Sequence, residues 1–204
     1  DLQRPTYRET ARFGHFGPKS GELVRPEGIA LDRDAGRAYV TDPGQGRLSV
    51  YGVARPSEPG LRYMPELVRF VKSLDFRALW ESERPAKTTE PAAKPMEPTG
   101  WPIEPGAVAV AKSGDLFLID AANSRVVVLD RKLALLRSFG GGRSADARLF
   151  RPTDLALSPS GEIVYVVDAV DGRVKAFGAS GEPLFAFGRT GIGPTDFVRP
   201  FGVA

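Results

Sequence analysis

Arg199-Pro200 repeats Arg151-Pro152 at a distance of 48 residues, and the pattern between them constrains the fold more than any other feature of the chain. After Pro152 come four short apolar runs, PTDLAL, IVYVVD, VKAF and LFAFG, each separated from the next by a turn of Gly, Ser, Pro and Asp. The runs are β-branched and aromatic and too short for helices, so they read as successive strands of an antiparallel sheet. Copies of the unit keep register along the chain. The first run recurs as Pro26-EGIAL, Pro105-GAVAV, Pro152-TDLAL and Pro200-FGVA. The second closes on Asp42, Asp120 and Asp168, and an Arg follows five residues later each time, at Arg47, Arg125 and Arg173. A Phe precedes the Pro by 13 residues at Phe13, Phe139 and Phe187.

A repeat period in the forties with four strands per unit predicts an all-β fold, a β-propeller of four-stranded antiparallel blades. The segments AANSRVVVLD and VDGRVKAFGASG, with DPGQGRLSVYG as a variant carrying Gln45 in place of Asn, give the chain a resemblance to NHL-repeat proteins. That resemblance spans most of residues 11–53 and 101–204 and implies six blades. It leaves function open, because fold and activity are separable and the family includes RNA binders, scaffolds, sensors and a few enzymes.

The blades divide the single domain at residues 1–25, 26–100, 101–150, 151–198 and 199–204, about three to four blades in all. An open blade face leaving about five large apolar side chains wet, at ~1.5–3 kcal/mol each, forfeits on the order of 10 kcal/mol, as much as a domain's net stability. The chain is therefore expected to be an open arc of a longer propeller. The piece at residues 26–100 carries an insertion over about residues 54–100. Leu67, Phe70, Val71, Leu74 and Ala78 follow Pro65-Glu66 at helical spacing, which predicts a short helix. The alternative is that LVRFV, from Leu67, is the blade's outer strand. Pro85, Pro91, Pro95, Pro98, Pro102 and Pro105 then mark an extended, solvated stretch.

Composition excludes several chemistries. With no Cys the chain has no disulfide, thiol nucleophile or Cys-ligated zinc. His15 is the only His, too few for a His-rich metal site, so no metal or cofactor is expected. No apolar run approaches the ~20 residues of a membrane span. A net charge of +3 reads as ordinary surface solubility. Gly17-Pro-Lys-Ser-Gly21 lacks the ending of a phosphate loop and leads into a strand, so it reads as an inter-blade loop. The compartment stays open, with the periplasm or the extracellular space slightly favoured for a bacterial source.

The pairs Asp42/Arg47, Asp120/Arg125 and Asp168/Arg173 are read as structural, since a catalytic site needs one constellation rather than three copies. No catalytic residue is assigned. The candidate binding residues lie where the inter-blade loops reach the channel mouth. Arg25, Arg151 and Arg199 each precede the Pro that opens an innermost strand, where a residue is held extended; Glu104 takes that place once. Phe201 offers an aromatic neighbour. Asp154 stands where the other copies have Gly28, Ala107 and Gly202; it is read as a turn cap, with ion binding the alternative. The expected function is a non-catalytic scaffold or sensor propeller binding protein or another acidic ligand. The alternatives are an RNA-binding surface and a lactonase-like or amidating-lyase-like hydrolase or lyase with its residues in further blades.

Overall fold

The computed structural model describes residues 12–54, 67–83, 103–142 and 144–204. The Pro-rich stretch and most of the insertion lie outside the described residues. Three antiparallel sheets of four strands follow one another along the chain, each in simple sequence order from one edge to the other. The first holds β3 (Gly28–Asp32), β4 (Arg37–Asp42), β5 (Arg47–Val53) and β6 (Val68–Asp75). The second holds β7 (Pro105–Val110), β8 (Leu116–Asp120), β9 (Arg125–Leu129) and β10 (Leu135–Phe139). The third holds β11 (Pro152–Leu157), β12 (Ile163–Asp168), β13 (Arg173–Gly178) and β14 (Pro183–Phe187). A two-residue parallel pair, β1 (His15–Phe16) and β2 (Glu22–Leu23), belongs to the loop ahead of the first sheet.

The first strands β3, β7 and β11 lie side by side, so the sheets stack face to face as consecutive blades of a β-propeller in an open arc. Alternation along the strands shows why. In β8, Leu116 and Leu118 pack toward the first blade while Phe117 and Ile119 pack toward the third. In β9, Val127 and Leu129 face the first blade, and Val126 and Val128 the third. Both strands are apolar throughout because both faces are buried, which hides the two-residue period.

The described part of the insertion, residues 67–83, is a strand followed by a helix. β6 pairs with β5 from Arg47↔Asp75 to Val53↔Val68, so the helix expected from Leu67 is corrected to an outer strand. The β5 edge needs a fourth strand to satisfy its backbone groups, and that requirement overrides the helical spacing. The helix α1 (Phe76–Glu83) begins afterwards, with Asp75 Oδ1 capping the Arg77 N–H at 2.8 Å. Phe76 and Leu79 complete the core between the first two blades.

An aromatic contact locks the loops that enter the first and third blades. Phe13 lies 4.8 Å from Tyr51 and Phe139 lies 5.1 Å from Phe177, each ring at the end of one repeat resting on the third strand of the next. Gly181, at φ +100, makes room for the second of these, since a Cβ there would sit 2.8 Å from Phe139 Cβ. Gly181→Ala should therefore cost about 1–3 kcal/mol in denaturant unfolding. Gly141→Ala, at a position with nothing within 4 Å, should change little; equal effects of the two would show that the Phe139 contact does not order the loop.

Candidate functional site

The second strand of each blade ends on a carboxylate with no exposed surface, at Asp42, Asp120 and Asp168. Just ahead of the first strand the chain carries two N–H groups followed by a Pro that has none. The carboxylate accepts those donors. Asp42 takes Val24 N at 2.8 Å and Arg25 N at 2.9 Å; Asp168 takes Phe150 N at 2.9 Å and Arg151 N at 3.0 Å; Asp120 takes Glu104 N at 3.2 Å. The loop between blades is thereby fastened to the turn between second and third strands of the same sheet. Both belong to one face of the arc.

The compensating side chain differs from blade to blade: the Asp/Arg contact itself is made in the second blade, and in the third Asp168 Oδ1 accepts Asp171 N of its own turn at 3.4 Å. Only Asp120 receives its Arg, with Arg125 Nε at 2.8 Å and Asn123 Nδ2 at 2.7 Å. At Asp42 the amide of Gln45 fills the place at 2.9 Å, and Arg47 donates to the carbonyls of Lys19 and Glu22. At Asp168 the ammonium of Lys175 lies 3.4 Å away, while Arg173 reaches toward Asp146 at 3.8 Å and Asp171 at 4.0 Å. Asp120 thus accepts an amide and a guanidinium together, whereas at Asp42 and Asp168 the Arg bonds groups of the adjoining loops instead.

Lys175 is the residue that sequence reasoning missed. It has no exposed surface, and its Nζ binds Asp171 at 2.8 Å and the carbonyl of Ala145 at 3.1 Å. The signal was a charged residue at a position where the other repeats carry Ser49 and Val127.

The loop residues divide into committed and uncommitted. Arg25 Nη2 binds Glu104 Oε1 at 3.0 Å and its Nε lies 3.9 Å from Glu27, so it joins the first two blades. Arg151 and Arg199 are exposed, and among the described residues neither side chain has a hydrogen-bond or ion-pair partner. Arg199 has φ +55, a left-handed backbone in place of the extended one expected before Pro. Phe201 is 79% exposed. Asp154 accepts Leu155 N and Val203 N, both at 2.9 Å, and so ties the innermost strand of the third blade to the next innermost segment. His15 is exposed in β1, and the described residues contain no cluster of three or more His, Asp or Glu arranged to hold a metal. None of their helices is long and apolar enough to cross a membrane.

This architecture defines a β-propeller. No protein-family model and no curated protein matches the chain. Solved structures do. A functionally unknown protein from Desulfotomaculum acetoxidans is similar with a TM-score of 0.54 at 18% identity, over 91% of this chain and 47% of that one. Kuenenia stuttgartiensis hydrazine synthase gives 0.53 at 12%, over 97% and 41%, and a streptogramin B lyase 0.52 at 14%, over 93% and 46%. The chain spans less than half the length of each, and at these identities the likeness is one of fold.

Two measurements test the carboxylates. Asp168→Ala leaves two N–H groups without their acceptor and takes from the buried Lys175 ammonium the second of its two carboxylates, Asp171 remaining at 2.8 Å, and should cost about 3 kcal/mol or somewhat more. Asp42→Ala strands only neutral donors and should cost about 1–3 kcal/mol; the reverse order in denaturant unfolding would remove the ammonium from the account. Burial pushes the Asp120 carboxyl above its ordinary value of 3.8, against the hydrogen bonds from Arg125 and Asn123 that pull it down. The folded state thus holds this proton more tightly than the unfolded one. Its contribution to stability is greatest below pH 3.8 and is lost as pH rises through the raised value. Asp120→Asn should flatten that fall in a series of melting curves, and an unchanged slope would assign it to another group.

Proposed function

We propose that the chain supplies blades to a non-catalytic, six-bladed, NHL-type propeller that serves as a binding scaffold or sensor module, with the face carrying the inter-blade loops as its binding surface. The observation that carries this reading is the contrast within one repeated position. Arg25 is neutralised by Glu104, whereas Arg151 and Arg199 are exposed without a side-chain hydrogen-bond or ion-pair partner among the described residues, and Phe201, two residues after Arg199, is exposed as well. A repeat residue serving only the repeat would find its partner within the sheet. Two guanidinium groups without one suit an acidic partner, because Arg presents a planar fork of donors to carboxylate or phosphate.

Polyglutamate and single-stranded oligouridine, titrated against the chain at two salt concentrations, test the proposal and separate protein from RNA. Polyglutamate should bind. Arg151→Ala/Arg199→Ala should weaken it about tenfold, from ~0.7 kcal/mol for each of two exposed ion pairs. RNA affinity would fall steeply with salt as counterions are released. Tighter binding of oligouridine would transfer the surface to nucleic acid, and failure of both polyanions to bind at low salt would remove the anionic binding face.

A further inference from the structure

The loop between β10 and β11 is pinned to the third blade more thoroughly than its length requires. Arg148 N bonds Ser144 O at 3.0 Å and Leu149 N bonds Gly140 O at 2.7 Å, with the Leu149 side chain 2% exposed. Lys175 Nζ holds the carbonyls of Ala145 at 3.1 Å and Arg148 at 2.5 Å. Asp168 holds the N–H groups of Phe150 and Arg151, and Ser124 Oγ donates to Phe150 O at 2.7 Å. Every side chain of this short run is aimed by that backbone. Leu149 goes inward, and Arg148, Phe150 and Arg151 go out.

What points outward leaves charge and ring surface open to solvent. The Phe150 ring is 43% exposed, with Arg148 Cζ at 5.1 Å and the Lys175 ammonium at 5.2 Å from its centroid. Arg148 and Arg151 are exposed, and no carboxylate among the described residues lies within ion-pair distance of either. An exposed aromatic beside two Arg side chains is the composition of an interface anchor. A backbone already fixed in place removes part of the ordering cost of binding.

Resting on the binding-scaffold reading, we infer that Arg148, Phe150 and Arg151 form a preorganised docking platform for a peptide segment whose carboxylates flank an apolar side chain. The carboxylates meet the two guanidinium groups and the apolar residue covers the ring. Charge on the same surface favours a short peptide over a nucleic acid strand. Asp146, in the same loop, is 66% exposed in its side chain, and Asp171 lies against Lys175 and Arg173. A phosphodiester backbone carries a negative charge at every nucleotide and would bring charges beyond those the two Arg residues meet onto these acids, whereas the peptide carries carboxylates only on the two residues beside its apolar side chain.

The test is fluorescence anisotropy of labelled dodecapeptides with a central Glu-Phe-Glu, using the full chain. Comparison peptides replace both Glu by Gln or the Phe by Ala, and a twelve-nucleotide oligouridine serves as the nucleic acid probe. The Glu-Phe-Glu peptide should bind tightest, and each comparison peptide at least fivefold more weakly. Arg148→Ala/Arg151→Ala should lose about tenfold in affinity with an unchanged melting temperature, since both side chains are exposed. Phe150→Ala should lose a similar amount, and Arg25→Ala, away from the platform, less than twofold. Equal binding by the double variant, no discrimination among peptides, or tighter binding of oligouridine would overturn the platform. If polyglutamate still binds through Arg199 while the platform variants behave as wild type, the scaffold reading survives and the platform alone falls.

Discussion

A carboxylate without exposed surface, closing the second strand of every blade, is the interaction on which the rest of this structure depends. The Pro that opens each innermost strand has no N–H, and the donors just before it lie in a turn with no strand to pair with. Asp42 and Asp168 each accept two of them, and Asp120 accepts one. Leaving such donors buried and unpaired costs about 1–3 kcal/mol each. The bond sets where the chain arriving from one blade enters the next, and so sets the register of the innermost strand. Because the carboxylate is itself buried, it requires a donor of its own, supplied in turn by an amide, a guanidinium and an ammonium.

Stacking of blades follows from faces that are apolar on both sides. The middle sheet has no solvent side: β8 and β9 bury alternate residues against different neighbours. The first sheet covers its outer face partly with Phe13 and Leu23 from the preceding loop, packed near Ala38, Val40 and Tyr51. The third leaves Leu184, Phe185 and Phe187 about half exposed along its outer strand. Ahead of the first and third blades, the Phe-Gly that ends one repeat rests on an aromatic of the next blade's third strand. This is the nearest-neighbour logic of a repeat fold.

The same clamps position the candidate binding face. A carboxylate that holds the backbone N–H of Arg25 or Arg151 leaves the side chain free to point away from the sheet. Whether it stays free depends on the neighbouring repeat. Glu104 engages Arg25 across the first two blades, and among the described residues no equivalent acid meets Arg151. Lys175 adds rigidity to the third blade alone, because its ammonium reaches loop carbonyls that Ser49 and Val127 could not reach from the matching position. The uncommitted cations and the exposed Phe150 ring therefore gather on one side of the arc.

How much of this was legible depended on range. The repeat, the four strands per unit, the buried Asp at the end of the second strand and the run of residues before each Pro are local patterns, and local patterns encode which face of a strand is buried. Leu67 to Ala78 carried an apolar spacing that suits a helix and a strand alike, and the unpaired edge of β5 decided between them. The partners of Arg47, Arg125 and Arg173 were equally beyond the repeat. A long side chain bonds whatever the adjoining loop brings within a few ångströms, and those loops differ between blades. Arg199 shows the same division: its Pro predicts an extended backbone, yet it takes φ +55, a conformation local sterics disfavour. Sequence thus determined the repeating sheet and its hydrogen-bonded frame. Only the tertiary structure decided which charges that frame consumes and which it leaves facing solvent, since that choice is made by residues distant in the chain.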